Sequence, residues 1–192
     1  MLAKNSFLRL SEERRNKLID IAMDIYINNP YEDITIRMIV KEMNININTF
    51  YRYFDEKDDL YIYIYNMLEE KIEPIDTSLL FISFQNIDGI YSEKELQFLN
   101  NTWNLPKYMI EKIIAENLDK YKNIYKSHLR EEKYNGNLRE DVDEDLIAYM
   151  YASTVYNLYL YFKENNITNI DLITKIREYF YYSFFNYGIM KR

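Results

Sequence analysis

The sequence predicts an all-α protein. Of 192 residues only 3 are Gly and 3 are Pro, too few for the turns of a β-sandwich or for a glycine-built phosphate loop. Apolar residues recur three and four positions apart in long runs, the spacing of one helix face. Those runs are preceded by residues that cap helix N-termini, Ser11, Thr35, Asn46 and Asp143. Hydrophobic residues at 48% supply a sizeable core and charged residues at 29% a soluble surface. The length allows one compact domain, or a small domain joined to a larger one.

The first helix is expected to start after Ser11, with Glu12 and Glu13 where the helix dipole favours acids, and to reach about Asn28. Leu18, Ile21, Ala22 and Ile25 form its apolar face, and Asn29-Pro30 ends it. A short second helix follows Thr35 and turns Ile36, Ile39, Val40 and Met43 inward. Asn44 stops it, because Asn tolerates the left-handed backbone of a tight turn. Asn46 caps a third helix from Ile47 to about Phe54, and Asp55 a fourth from Glu56 to about Glu73, ended by Pro74. The stretch from Ile75 to Asn104 has no defined pattern. Pro106 then opens a long helix to about Tyr134, broken by Asn135-Gly136-Asn137. Asp143 to about Asn165 and Ile170 to about Met190 complete the chain, which has no internal repeat or low-complexity linker.

With no Cys, disulfides, thiolate zinc sites and cysteine nucleophiles are excluded together, compatible with a reducing cytoplasm. The first fifteen residues lack the apolar run of a signal peptide, and no segment reaches about 18 consecutive apolar residues, so no membrane span is expected; a membrane-surface helix, the competing reading of the Phe/Tyr-rich terminal run, would need a Lys/Arg-rich face that this run lacks. A cytoplasmic protein is the reading. Net charge is −7, which by itself speaks against nucleic acid. The acidity is uneven: residues 1–57 hold 9 Lys and Arg against 9 Asp and Glu, and residues 58–192 hold 15 against 22. Charge thus permits DNA binding by the first third without suggesting it.

Three short helices with a tight turn between the second and third describe a helix-turn-helix, whose third helix can enter a major groove. Generic helical bundles share that outline, so the residues matter more. They are Thr35-Ile36-Arg37-Met38-Ile39-Val40, then Asn44-Ile45-Asn46-Ile47-Asn48-Thr49-Phe50-Tyr51-Arg52-Tyr53-Phe54, then Lys57 and Leu60. Residues 11 to 60 closely resemble the TetR family, most specifically in Phe50-Tyr51-Arg52-Tyr53-Phe54-x-x-Lys57-x-x-Leu60. Asn44 and Asn48 stand where that family usually has Gly. The resemblance implies a small DNA-binding domain, residues 1–57, and a larger helical domain for effector binding and dimerisation, residues 58–192.

Within the third helix, Phe50 and Phe54 are four apart and belong to the core. Ile47, Asn48 and Tyr51 are placed at base edges, since the N-terminal residues of a recognition helix lie deepest in the groove. Thr35, Asn46, Thr49, Tyr53 and Lys57 suit phosphate oxygens, and Arg37 either role. The alternative for each is an ordinary solvated residue. Asn pairs bidentately with adenine and an apolar side chain meets the thymine methyl, so Asn48 and Ile47 point to A·T steps in the half-site.

The segment Gly136-Asn137-Leu138-Arg139-Glu140-Asp141-Val142-Asp143 resembles the turn before the penultimate helix of TetR-type regulators. A calcium loop through Asp141, Asp143 and Asp145 lacks the required glycine and the terminal bidentate Glu, so no metal is expected. The last two helices are apolar nearly all round and must be covered on more than one side. The resemblance implies a four-helix interface between two copies, with Tyr151, Val155, Leu158, Phe162, Phe180 and Phe184 as candidates. It also implies an effector cavity, with Phe84, Phe98, Trp103, Tyr108, Met109, Tyr149, Ser153 and Tyr156 as candidate lining and plain core packing as the alternative. The partners implied are a palindromic double-stranded operator, an apolar or aromatic small molecule and a second copy of the chain, with no cofactor. A ligand-independent DNA-binding dimer is the rival. An enzyme is not expected: there is one His, His128, no Cys and no recognisable catalytic motif.

Overall fold

The computed structural model describes residues 2–71, 89–167, 169–180, 183 and 187–190. They form helices α1 (Asn5–Leu8), α2 (Glu12–Asn28), α3 (Ile36–Glu42), α4 (Ile47–Tyr53), α5 (Lys57–Glu69), α6 (Glu93–Asn100), α7 (Lys107–Tyr134), α8 (Glu144–Glu164), α9 (Ile170–Phe180) and α10 (Tyr187–Ile189). Short 3-10 turns lie at Tyr31–Asp33 and Asn101–Asn104. The described residues fall into two compact units, one up to Ile110 and the other from Glu111 onward.

In the first unit, α2 buries Leu18, Ile19, Ala22, Met23, Ile25 and Tyr26 and packs against α3, α5 and α6. Ser11 caps it by accepting the Arg14 N–H at 3.3 Å. The start of α5 differs from expectation. The N-cap is Glu56 rather than Asp55, because the Asp59 carboxylate reaches back to the N–H groups of both Asp55 (3.2 Å) and Glu56 (3.0 Å). The unit also runs past residue 57. Leu60, Tyr61, Ile62, Ile64 and Leu68 of α5 are buried, with the Tyr61 ring edge-on to Tyr26 at 4.9 Å and against Phe98 of α6 at 4.6 Å.

Helix α6 falls in the stretch without a readable pattern. Ser92 and Glu95 close a capping box at its start, while Lys94 bridges to Asp20 and Asp24 of α2 at 2.7 and 2.9 Å. Beside it, Asn101 donates to the Tyr26 carbonyl at 2.6 Å.

Tyrosines with raised hydroxyl pKa values, Tyr26 and Tyr31 among them, should make this unit sensitive to alkali. Burial raises the Tyr26 hydroxyl well above its ordinary range; burial and the hydrogen bond to Asp58 do the same to Tyr31. Each is raised above its unfolded value of about 10, so the stability it contributes is complete below that pH and lost as pH rises through the folded-state values. Urea unfolding is expected to show falling stability above about pH 10, and Tyr31→Phe a shallower fall. An unchanged slope in that variant would remove Tyr31 from the account.

The second unit is built on α7 and α8. Asp143 caps α8 through the Leu146 N–H at 3.0 Å. The rings of Tyr125 and Tyr151 stack 3.8 Å apart at 10°, and Leu129, Leu138, Ala148 and Ile189 complete the buried cluster around them. Lys133 pairs with Glu144 at 2.5 Å, and Lys126 with Asp145. The helix expected to run from Ile170 to Met190 is described only to Phe180. Met190 instead forms an isolated antiparallel bridge with Leu138, where Arg139 donates its N–H to the Ile189 carbonyl (3.0 Å) and its guanidinium to the Gly188 carbonyl (2.8 Å).

Candidate DNA-binding surface

The surface is assembled from local chemistry. Thr35 starts α3 by accepting the Met38 N–H at 3.2 Å. Asn44 takes the left-handed conformation, φ +50°, which lets the Asn44 and Ile45 N–H groups fold back onto the carbonyls of Lys41 (3.2 Å) and Val40 (3.0 Å). Asn46 then opens α4, its Oδ1 accepting the Thr49 N–H at 2.7 Å and the Thr49 hydroxyl at 2.9 Å.

This turn fixes the faces of α4. Phe50 and Phe54 are buried with ring centroids 6.0 Å apart, and Phe7 lies 4.7 Å from Phe54. On the opposite side Ile47 is 40% and Tyr51 46% exposed. Asn48 and Arg52 are exposed beside them, and Arg37 on α3 is exposed too. Large apolar side chains held in solvent at the start of a helix otherwise anchored by its inner face make a surface suited to a groove floor. Tyr53 is half-buried, its ring edge-on to Phe7 at 5.4 Å.

Lys57 is placed differently from the phosphate-facing position expected of it. Its ammonium donates to the carbonyls of Tyr31 and Ile34, both at 2.7 Å, and sits 4.4 Å from the Tyr31 ring centre. Burial lowers its pKa, with Asp58, Glu32 and Asp33 opposing that shift. The same tyrosine donates its hydroxyl to the buried Asp58 at 2.6 Å and lies 3.1 Å from Met109 Sδ. Lys57 therefore ties the turn before α3 to the first turn of α5.

The far end of α4 has partners that no local pattern shows. The Lys4 N–H reaches the Tyr53 carbonyl at 2.9 Å, its ammonium the Tyr51 carbonyl at 2.8 Å and the Asp55 carboxylate, and the Ser6 hydroxyl the Arg52 carbonyl. These contacts join residues 46 to 51 positions apart, beyond the reach of a local sequence pattern.

The described candidate effector residues are divided between the two units. Phe98 and Met109 are wholly buried, Phe98 against Tyr61 and Tyr26 and Met109 against Tyr31, which makes both core of the first unit. Trp103 is half-buried and Tyr108 exposed. In the second unit Tyr149 is exposed, and Ser153 spends its hydroxyl on the Tyr149 carbonyl at 2.9 Å. Among the interface candidates, Tyr151 and Phe162 are buried within their own chain, Tyr151 because its ring is taken up by Tyr125. Leu158 and Phe180 pack partly on the same cluster. Phe84 and Phe184, and the side chains of Val155 and Tyr156, lie outside the described residues.

What α8 and α9 present outward is another set: Leu146, Tyr149, Met150 and Tyr161, with Leu172 and Tyr179. No helix among the described residues is long and apolar enough to cross a membrane.

A left-handed turn between two capped helices, the second with its inner face in a core and its outer face in solvent, is the geometry of a helix-turn-helix. Residues 18–64 match the family of bacterial regulatory proteins, tetR family. That N-terminal segment is a tetR-type domain.

It is similar to NalD, the secondary repressor of the MexAB-OprM multidrug efflux pump in Pseudomonas aeruginosa, at 11% identity and a TM-score of 0.58, over 95% of this chain and 99% of that one. It is also similar to the fatty acid degradation regulator FadR from Bacillus halodurans (18% identity, TM-score 0.54, 89% and 95% covered). Salmonella enterica GusR is a further likeness (15% identity, TM-score 0.54, 88% and 95% covered). At these identities the likeness is one of fold. No curated protein matches the chain.

Proposed function

We propose that this regulator is a homodimeric repressor in the cytoplasm that binds a palindromic operator and is released from it by an apolar or aromatic small molecule. Residues 1–57 carry the DNA contacts, and residues 58–192 the effector and dimer functions. The observation that carries the DNA-binding reading is the outer face of α4, where Ile47, Asn48 and Tyr51 stand in solvent together on a helix whose position is set by the Asn44 turn. Thr35, Arg37, Asn46, Thr49 and Tyr53 border that face and suit phosphate oxygens.

Release requires that the effector bind the DNA-competent and incompetent conformations differently, typically by about 1–3 kcal/mol. Selection from a random duplex pool, followed by footprinting upstream of the protein's own gene, tests the reading. A protected inverted repeat is expected, with A·T steps opposite Ile47 and Asn48. Absence of any protected repeat at low salt would sink it. Asn48→Ala should change base preference at one half-site position by roughly tenfold, whereas Arg37→Ala should weaken all duplexes alike if Arg37 serves phosphate. Uniform weakening by Asn48→Ala in competition binding would contradict its place at a base edge.

A further inference from the structure

We propose that residues 3–7 are a strap that sets the pose of the recognition helix, with Lys4 and Ser6 as positioning residues for sequence reading. The inference rests on the operator-binding reading of α4. A helix leaves its last carbonyls without internal partners, and α4 has only seven residues, too few to be stable by itself. Its terminal carbonyls are nevertheless all engaged. Phe50 accepts from the Phe54 N–H at 2.9 Å, Tyr51 from the Lys4 ammonium at 2.8 Å, Arg52 from the Ser6 hydroxyl, and Tyr53 from the Lys4 N–H at 2.9 Å.

Three of these four partners come from the strap. The Lys4 ammonium also adds positive charge where the helix dipole is negative and is itself held by Asp55. Ala3 and Phe7 anchor the segment, being 3% and 1% exposed, with Phe7 against Phe54, Tyr53 and Tyr63 at 4.7, 5.4 and 5.5 Å. The carbonyl that the Lys4 ammonium holds belongs to Tyr51, a residue of the outer face. Displacing that end of α4 displaces the side chains that read bases, without removing any of them.

The test uses the full chain, a duplex selected by the wild type, and a scrambled duplex of equal length. Lys4→Ala and Ser6→Ala should each bind the selected duplex about tenfold more weakly and the scrambled one unchanged, since lost positioning erodes base contacts and leaves phosphate contacts in place. Lys4→Arg should restore selectivity. Amide hydrogen exchange should speed up at the end of α4 and stay the same in α2 and α5, which separates a displaced helix from an unfolded unit.

Equal weakening on both duplexes, with a shallower salt dependence, would make Lys4 a phosphate ligand and overturn the proposal. So would unchanged affinity and exchange in both alanine variants. If the wild type selects no sequence, the operator-binding reading fails and takes the sequence-reading role with it, and the exchange comparison then decides only whether the strap holds α4.

Discussion

Leu146→Glu combined with Tyr149→Glu should leave the protein monomeric in sedimentation equilibrium and weaken binding to a selected palindrome by roughly 10²–10⁴-fold, the range lost when two linked contacts become one. Both side chains are 55% exposed on α8, beside Met150 at 40%. Tyr161 of α8 and Leu172 and Tyr179 of α9 are exposed as well. Apolar surface of this extent calls for a partner, and charges placed on it would have to be desolvated on association. The substitutions do not oppose the helix itself, because glutamates in the first turns of α8 agree with its dipole. Circular dichroism should therefore be unchanged. A double variant that remains dimeric would move the interface away from this face.

Phe54→Ala should cost the first unit about 3–5 kcal/mol, the usual range for emptying a buried aromatic site. Phe54 is 2% exposed and its ring lies within 6.0 Å of Phe7, Phe50 and Tyr63, so one cavity would loosen the strap, α4 and α5 together. Urea titration should show the midpoint falling with little change in slope. Phe54→Leu should cost less, having more of the volume to fill. A loss below about 1 kcal/mol for the alanine variant would mean that neighbouring rings collapse into the space.

How far the structure was legible depended on the reach of each interaction. Ser11, Thr35, Asn46 and Asp143 act on N–H groups three residues away, so their roles could be read from a few letters. Asn44 belongs with them, since the left-handed turn is a property of the residue itself. The α5 cap was misplaced by one residue because two adjacent acids both suit the position, and Asp59 decides between them.

Helix α6 was hidden for another reason. It is eight residues long, and its place is set by contacts with α2 from some seventy positions earlier in the chain, such as Lys94 with Asp20 and Asp24.

Lys57 and Tyr151 show the same limit at the candidate sites. Their types and helix positions were clear, but which way each points is decided by Tyr31 and Ile34 in one case and by Tyr125 in the other. An aromatic on a helix that is apolar all round gives no period from which to tell inside from outside: the sequence offers Tyr149 for a cavity and Tyr151 for an interface, and of the two it is Tyr151 that is buried and Tyr149 that is exposed.

The inward turn of Lys57 bears on the thermodynamics of DNA binding. Residues 1–57 carry no net charge, and with one more ammonium spent on backbone carbonyls, the exposed cations of α3 and α4 are Arg37, Lys41 and Arg52. Each phosphate neutralised releases about 0.9 of a condensed counterion. Where the phosphate contacts are confined to α3 and α4, few ions are displaced per subunit, and ion release supplies a small share of the driving force. Operator occupancy then follows the fit of α4 to base edges more than the ionic strength around it, and the weak attraction to bulk DNA leaves more of the protein free to find its operator.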